Sequence, residues 1–126
     1  MIVRDIKSII GSDHDVHGSG WNSRRLLVRD DGMGYTMTDT IVKAGTEMTL
    51  EYKNHLEACY CISGSGEIED HASGQIHQLF KGVIYALDKN DYHTLRVHEG
   101  ADMNLICTFT PALTGQEVHG PDGSYS

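Results

Sequence analysis

Two glycine-led runs limit what this chain can fold into: Gly45 to Gly66, GTEMTLEYKNHLEACYCISGSG, and Gly82 to Val97, GVIYALDKNDYHTLRV. Each opens on a glycine turn, and the first closes on Ser63-Gly64-Ser65-Gly66. Inside them, and in the segments around them, apolar residues come in short alternating stretches, the two-residue period of a strand rather than the 3.6-residue period of a helix. The 14 glycines against 2 prolines supply tight turns between such strands. The pattern predicts an all-β protein, a β-barrel or double-sheet jelly roll with one or two short helical turns.

Strands are expected at Arg24–Arg29, Tyr35–Lys43, Glu47–Tyr52, Ala58–Ser63, Glu67–Asp70, Ile76–Phe80, Val83–Leu87, Tyr92–Val97 and Met103–Thr110. Met1 to Val3 reads as an edge strand, and Asp5 to Ile10 as a helical turn with Ile6, Ile9 and Ile10 on one side. Residues 11–23 read as a polar loop that holds the chain's only tryptophan, Trp21. Residues 1–126 read as a single domain, with a tail at 111–126, from Pro111 onward, too polar to pack as core. Alternation puts His93, Leu95 and Val97 on one face, and Met103, Leu105, Cys107 and Phe109 on one face. His93, Cys107 and Phe109 should therefore point into the barrel.

Charge and cysteine usage remove several functional classes. A net charge of -8 argues against a nucleic-acid partner, which needs a basic face. The three cysteines include no CxxC pair, and Cys59 and Cys61 lie two apart on one strand. Free thiols in a reducing, cytoplasmic setting are expected. The first residues are too polar for a signal peptide, and no apolar run approaches a membrane span.

Chemistry concentrates on a few side chains. Glu57 heads an apolar strand, where a carboxylate is costly unless it is paired or bound to a metal. Tyr85 and His93 lie in the second run, and Glu, Tyr and His together make a mixed oxygen and nitrogen donor set that suits iron. The plainer reading is a strand-end glutamate, a core tyrosine and a core histidine. His55 reads as an orienting or strand-start hydrogen bonder. Trp21, Ser23 and Arg25 alternate as on one wall, and Arg suits a bidentate grip on a carboxylate; the plainer reading is a packed tryptophan and a solvated arginine. Thr40 and Tyr52 are polar residues on strands. Cys107 lies between Leu105 and Phe109, an apolar setting that raises a thiol pKa, so a pocket wall is favoured over a nucleophile. Cys59 and Cys61 read as core. Glu117 and His119 would ordinarily be solvated.

Spacing and local sequence point to a family. Gly45, five residues, Glu51, one, Lys53, three, Glu57, six, Gly64 follows the first cupin motif, with Glu51 and Lys53 where that motif has histidines. Gly82, five residues, Asp88, one, Asn90, two, His93 follows the second. The segments GSGWNSRRLLVRDDGMGYT, KNHLEACYCISGSGEIED, VIYALDKNDYHTLR and TPALTGQEVHGPDGSYS are similar to the ectoine synthase family across nearly the whole chain.

The resemblance implies a cupin fold and a hydro-lyase. It would cyclise N-γ-acetyl-L-2,4-diaminobutyrate, with loss of water, to ectoine, a compatible solute of osmotic stress. It implies Fe(II) on Glu57, Tyr85 and His93. It implies substrate contacts from Trp21, Ser23, Arg25, Thr40, Tyr52, Cys107, Phe109 and Glu117. Proton transfer would fall to Tyr52, Glu117 or the iron ligands Glu57, Tyr85 and His93. A C-terminal lid and a head-to-tail homodimer are also implied. The alternatives are another metal-dependent cupin, a dioxygenase or isomerase, or a metal-free cupin that binds a small ligand.

Overall fold

The computed structural model describes residues 1–125. Along the chain come α1 (Ile6–Ile9), β1 (Asp15–Gly18), β2 (Trp21–Leu27), a 3-10 turn at Arg29–Asp31, β3 (Thr36–Val42), β4 (Glu47–Leu50), β5 (Leu56–Ser63), β6 (Gly66–Asp70), β7 (Ile76–Leu79), β8 (Ile84–Leu87), β9 (His93–Val97) and β10 (Met103–Thr110). Six strands form one sheet in the order β1-β2-β3-β10-β5-β8, and four form the other in the order β4-β9-β6-β7. The pairings are antiparallel. Two sheets face each other across one core, the double-sheet arrangement expected from the short strands and glycine turns.

Alternation builds that core. On β10 Met103, Leu105, Cys107 and Phe109 are buried, with the residues between them more open. On β9 His93, Leu95 and Val97 point the same way. The inward faces meet Val42, Leu50, Cys59, Ile68 and Leu79 in a single cluster. Each such large apolar side chain contributes about 1.5–3 kcal/mol when fully buried.

The glycines of the two runs are required by backbone shape. Gly45 and Gly64 have φ of 76° and 83°, the left-handed region that L side chains avoid. At Gly64 an added Cβ would stand 2.5 Å from the Asp102 carbonyl oxygen and 2.6 Å from Met103 Cα. The turn after β5 therefore fits against the start of β10 only without a side chain.

Four expectations need correction. Residues 11–23 are not all loop: β1 and the start of β2 form a hairpin, and Trp21 opens β2. The inward positions of β2 are Trp21, Ser23 and Arg25, all buried; their alternation is visible in the sequence, but two of the three are polar, so it gives no apolar strand period. Met1 and Val3 are exposed and form no strand within the chain. Of the three isoleucines around α1, only Ile9 is buried; Ile10 is exposed. Finally, the tail does pack: Leu113 and Tyr125 belong to the core cluster, and Ser124 is buried beside Tyr125. Among the described residues, no helix is long and apolar enough to cross a membrane.

Candidate active site

Between the sheets lies a cavity of about 440 Å³, counting its open mouth. Nearly every position singled out from the sequence lines it. Trp21 and Ser23 come from β2, Thr40 from β3, Glu57 from β5, Tyr85 from β8, His93 from β9, and Cys107 and Phe109 from β10. Tyr52, in the loop after β4, completes one wall with its ring edge-on to Phe109 at 5.3 Å. Asn90 fixes that loop: its side-chain amide donates to the carbonyls of Tyr52 and His55 at 2.8 and 3.1 Å. The turn leading to β9 is thereby tied to the loop leading to β5, which holds His93 and Glu57 in relation to one another.

Glu57 is buried, and no cation pairs with it among the described ion pairs. Burial raises its pKa to about 7, with the thiols of Cys59 and Cys107 pulling it back down. A buried carboxylate without a positive partner is costly, and a bound cation would remove that cost. His93 is buried with Nδ1 2.8 Å from the Asp91 carbonyl. Donation from Nδ1 to that carbonyl leaves the Nε2 lone pair free, the arrangement that orients metal-ligating histidines. Burial keeps the His93 ring below its usual pKa, hence neutral and able to ligate. Burial also holds the Tyr85 phenol well above its usual value. These three donors on one cavity fit iron by their chemistry. An oxygen of Glu57 also lies with the Sγ atoms of Cys59 and Cys107, all within 4.8 Å of one another; His93 lies outside that set.

Arg25 is 1% exposed and stands immediately behind the wall. Its Nε donates to Ser23 Oγ at 2.9 Å, and Nη2 donates to the Glu117 carbonyl at 2.9 Å and to the Tyr125 hydroxyl at 3.3 Å. Nη1 is buried with no partner. An unpaired guanidinium nitrogen beside a cavity is a ready donor to an anion, because hydrogen bonds between charged partners are the strong ones.

The tail closes this end. His119 stacks on Tyr125 with ring centroids 4.7 Å apart and planes 9° apart, and it meets Trp21 edge-on at 5.1 Å. Its Nε2 lies 2.7 Å from the Tyr52 hydroxyl. Burial, followed by the Arg25 charge, depresses the His119 pKa to about 4, so the ring is neutral at pH 7 and accepts from the hydroxyl. Burial holds the Tyr52 phenol well above its usual value, so it stays protonated.

Glu117 is placed differently from the expectation. Its carboxylate accepts from the backbone N–H groups of Thr114, Gly115 and Gln116 at 2.7, 2.9 and 3.1 Å. Burial raises its pKa, but those backbone amides outweigh it and the net shift is downward. A carboxylate so committed is a poor proton carrier; it shapes the tail turn, and its carbonyl holds Arg25. Cys59, read as plain core, lines the cavity. The signal was present, since Cys59 is two residues from Glu57 and so shares its face. Tyr125 had no such signal, being an isolated tyrosine in a polar tail. His55 is buried with Nδ1 unpartnered and its ring edge-on to Phe109, so it acts by packing there and not as a hydrogen bonder at that atom.

The family model described as "Ectoine synthase" matches residues 1–126. The chain is 55% identical over 125 residues to an L-ectoine synthase from Desulfosudis oleivorans, covering 99% of this chain and 96% of that protein. It is similar to the crystal structure of ectoine synthase from P. lautus, with a TM-score of 0.85 at 46% identity over 91% of this chain and 81% of that one. A cupin-2 domain from Rhodospirillum rubrum shares the fold alone, with a TM-score of 0.63 at 14% identity over 72% of this chain and 60% of that one. The double sheet is thus a cupin, and the match along the full length decides among cupins: this chain belongs to the ectoine synthase family.

Proposed function

We propose that the cavity closes the ring of N-γ-acetyl-L-2,4-diaminobutyrate to give ectoine, with loss of one water. The observation that carries this reading is the full-length match to ectoine synthases; the polar groups of the cavity suit that reaction. The chain is then a hydro-lyase, and the dioxygenase, isomerase and simple binding alternatives are not favoured.

The α-amino nitrogen must attack the acetamide carbonyl carbon within one flexible molecule. Holding the two ends together converts a rare encounter into a near-attack geometry. The unpaired Nη1 of Arg25 would grip the substrate carboxylate, oriented by Ser23. Trp21, Tyr52 and Phe109 would fold the chain over itself, with Thr40 and Cys107 as walls. Glu57, Tyr85 and His93 would hold an Fe(II) ion, which when bound supplies Lewis-acid polarisation of the amide carbonyl.

Two protons must leave the ammonium nitrogen, and two must reach the departing oxygen. The neutral His119 Nε2 and the protonated Tyr52 hydroxyl form an acceptor and donor pair at 2.7 Å. They support proton transfer at those two atoms, a contribution of roughly 10²–10⁴ in rate for a placed acid or base. Closure by the tail keeps bulk water from a reaction that expels water.

The wider setting follows from the same reading. The three free thiols suit a reducing, cytoplasmic location, and ectoine would serve there as a compatible solute. The exposed Met1 and Val3 and the edge position of β8 support a head-to-tail homodimer by strand addition. Iron-loaded protein incubated with the acetylated diamino acid should yield ring-closed product by NMR. Unchanged substrate would overturn the reading.

A further inference from the structure

The iron reading gives two buried thiols of the cavity no ligand role. Cys59 follows Glu57 by two residues on β5, and Cys107 is its direct partner across the β5–β10 ladder. One oxygen of Glu57 and the Sγ atoms of Cys59 and Cys107 all lie within 4.8 Å of one another, buried. Both thiols are free. The strands that carry them are inner members of the six-stranded sheet, so the backbone holds the donors in place. Cys61, the remaining thiol, shares their face but lies outside that set and donates to the Ser63 carbonyl at 3.4 Å.

The donor chemistry differs from that of the iron set. Two sulfurs and one oxygen favour a soft or borderline ion, whereas phenol, carboxylate and imidazole favour iron. Two metal–sulfur bonds of about 2.3 Å at a tetrahedral ion hold the sulfurs about 3.8 Å apart, within the spread of this cluster. The fourth position would open on the cavity, which both cysteines and Glu57 line.

We propose that Glu57, Cys59 and Cys107 form a second metal site, for a thiophilic divalent cation, and that it shares Glu57 with the Glu57–Tyr85–His93 set so that the two cannot be filled together. On binding, one proton leaves each thiol for solvent and two metal–sulfur bonds form; no electron moves. The cation takes the carboxylate away from the iron set and fills the cavity floor, so such ions inhibit the protein in competition with iron. The shared-carboxylate clause rests on the iron reading, whereas the thiol site stands without it.

The probe is Cd²⁺ alone, titrated into metal-free full-length protein, read by its thiolate-to-metal absorption in the ultraviolet. One equivalent should saturate the band. The band should vanish in Cys107→Ser and in Cys59→Ser, with circular dichroism confirming that each variant is folded, and persist in Cys61→Ser and His93→Ala. Cys107→Ala provides a second loss variant should Cys59→Ser fail to fold. Ferrous iron added without air should diminish the band in the wild type and spare it in His93→Ala. No band, a band that survives in folded Cys107→Ser and Cys107→Ala, or a band lost in Cys61→Ser overturns the site. Simultaneous binding of one equivalent each of iron and cadmium overturns the sharing of Glu57. A protein that takes cadmium as described yet never binds iron contradicts the iron reading and leaves the thiol site standing.

Discussion

The Tyr52 hydroxyl and Nε2 of His119 lie 2.7 Å apart, which ties a histidine of the tail to the wall of the cavity 67 residues earlier in the chain. Tyr52→Phe removes only that hydroxyl. We expect kcat to fall by roughly 10²-fold or more, the scale of a placed acid or base, while KM moves little. Steady-state kinetics checks this; a Tyr52→Phe protein turning over at the wild-type rate would remove the pair from proton transfer.

The same histidine sets a pH dependence. Its folded pKa, about 4, is depressed from 6.5 by burial first and the Arg25 charge second. The unfolded or open tail therefore binds more protons than the closed one between those values. Stability from the closed tail is complete above about pH 6.5 and declines as pH falls toward 4. Fluorescence of Trp21, which contacts the ring edge-on, should report opening over that window. His119→Gln should flatten the titration, and an unaltered curve in that variant would refute the assignment.

A truncation that ends before Thr114 separates lid from core. Leu113 stays, but Tyr125 is lost from the core cluster, and with it the bond from the Asn54 amide to the Tyr125 carbonyl at 2.9 Å. Loss of a buried aromatic side chain costs about 3–5 kcal/mol. Turnover should vanish and the denaturation midpoint should fall together. This replaces the expectation of a tail too polar to matter for packing; a truncated protein of unchanged stability would restore it.

Gly64→Ala should destabilise the fold without touching the cavity. The left-handed φ of 83° costs a side chain about 1–3 kcal/mol, and the added Cβ would collide with the backbone at Asp102 and Met103. Urea unfolding of the variant measures the loss. A midpoint equal to wild type would show that the turn re-forms.

The sheet was readable because its inner faces are mostly apolar and its turns need glycine. Met103 to Phe109 alternates cleanly, and Gly45 and Gly64 mark left-handed turns. Legibility failed where function replaces apolar residues on an inner face. Trp21 and Ser23 open β2 on a face shared with polar Arg25, so the start of the strand read as loop and only Arg24 onward as strand. It failed again where contacts span the chain: the Arg25 hydrogen bonds to Glu117 and Tyr125 join residues 92 and 100 positions apart, which no local pattern reveals. Glu117 was singled out through the family resemblance, and its carboxylate is held by three neighbouring backbone amides.

We propose that Glu57, Tyr85 and His93 hold the metal while Arg25 holds the substrate. Bound iron and ring-closure rate, measured side by side on Glu57→Ala, Tyr85→Ala, His93→Ala and Arg25→Ala, test it most directly. The first three should lose most of their iron and nearly all turnover while remaining folded. Arg25→Ala should keep its iron and lose on the order of 10- to 100-fold in rate, the worth of a charge-assisted hydrogen bond of about 1.5–3 kcal/mol. Full iron occupancy in His93→Ala, or full activity in iron-stripped wild type, would contradict the account.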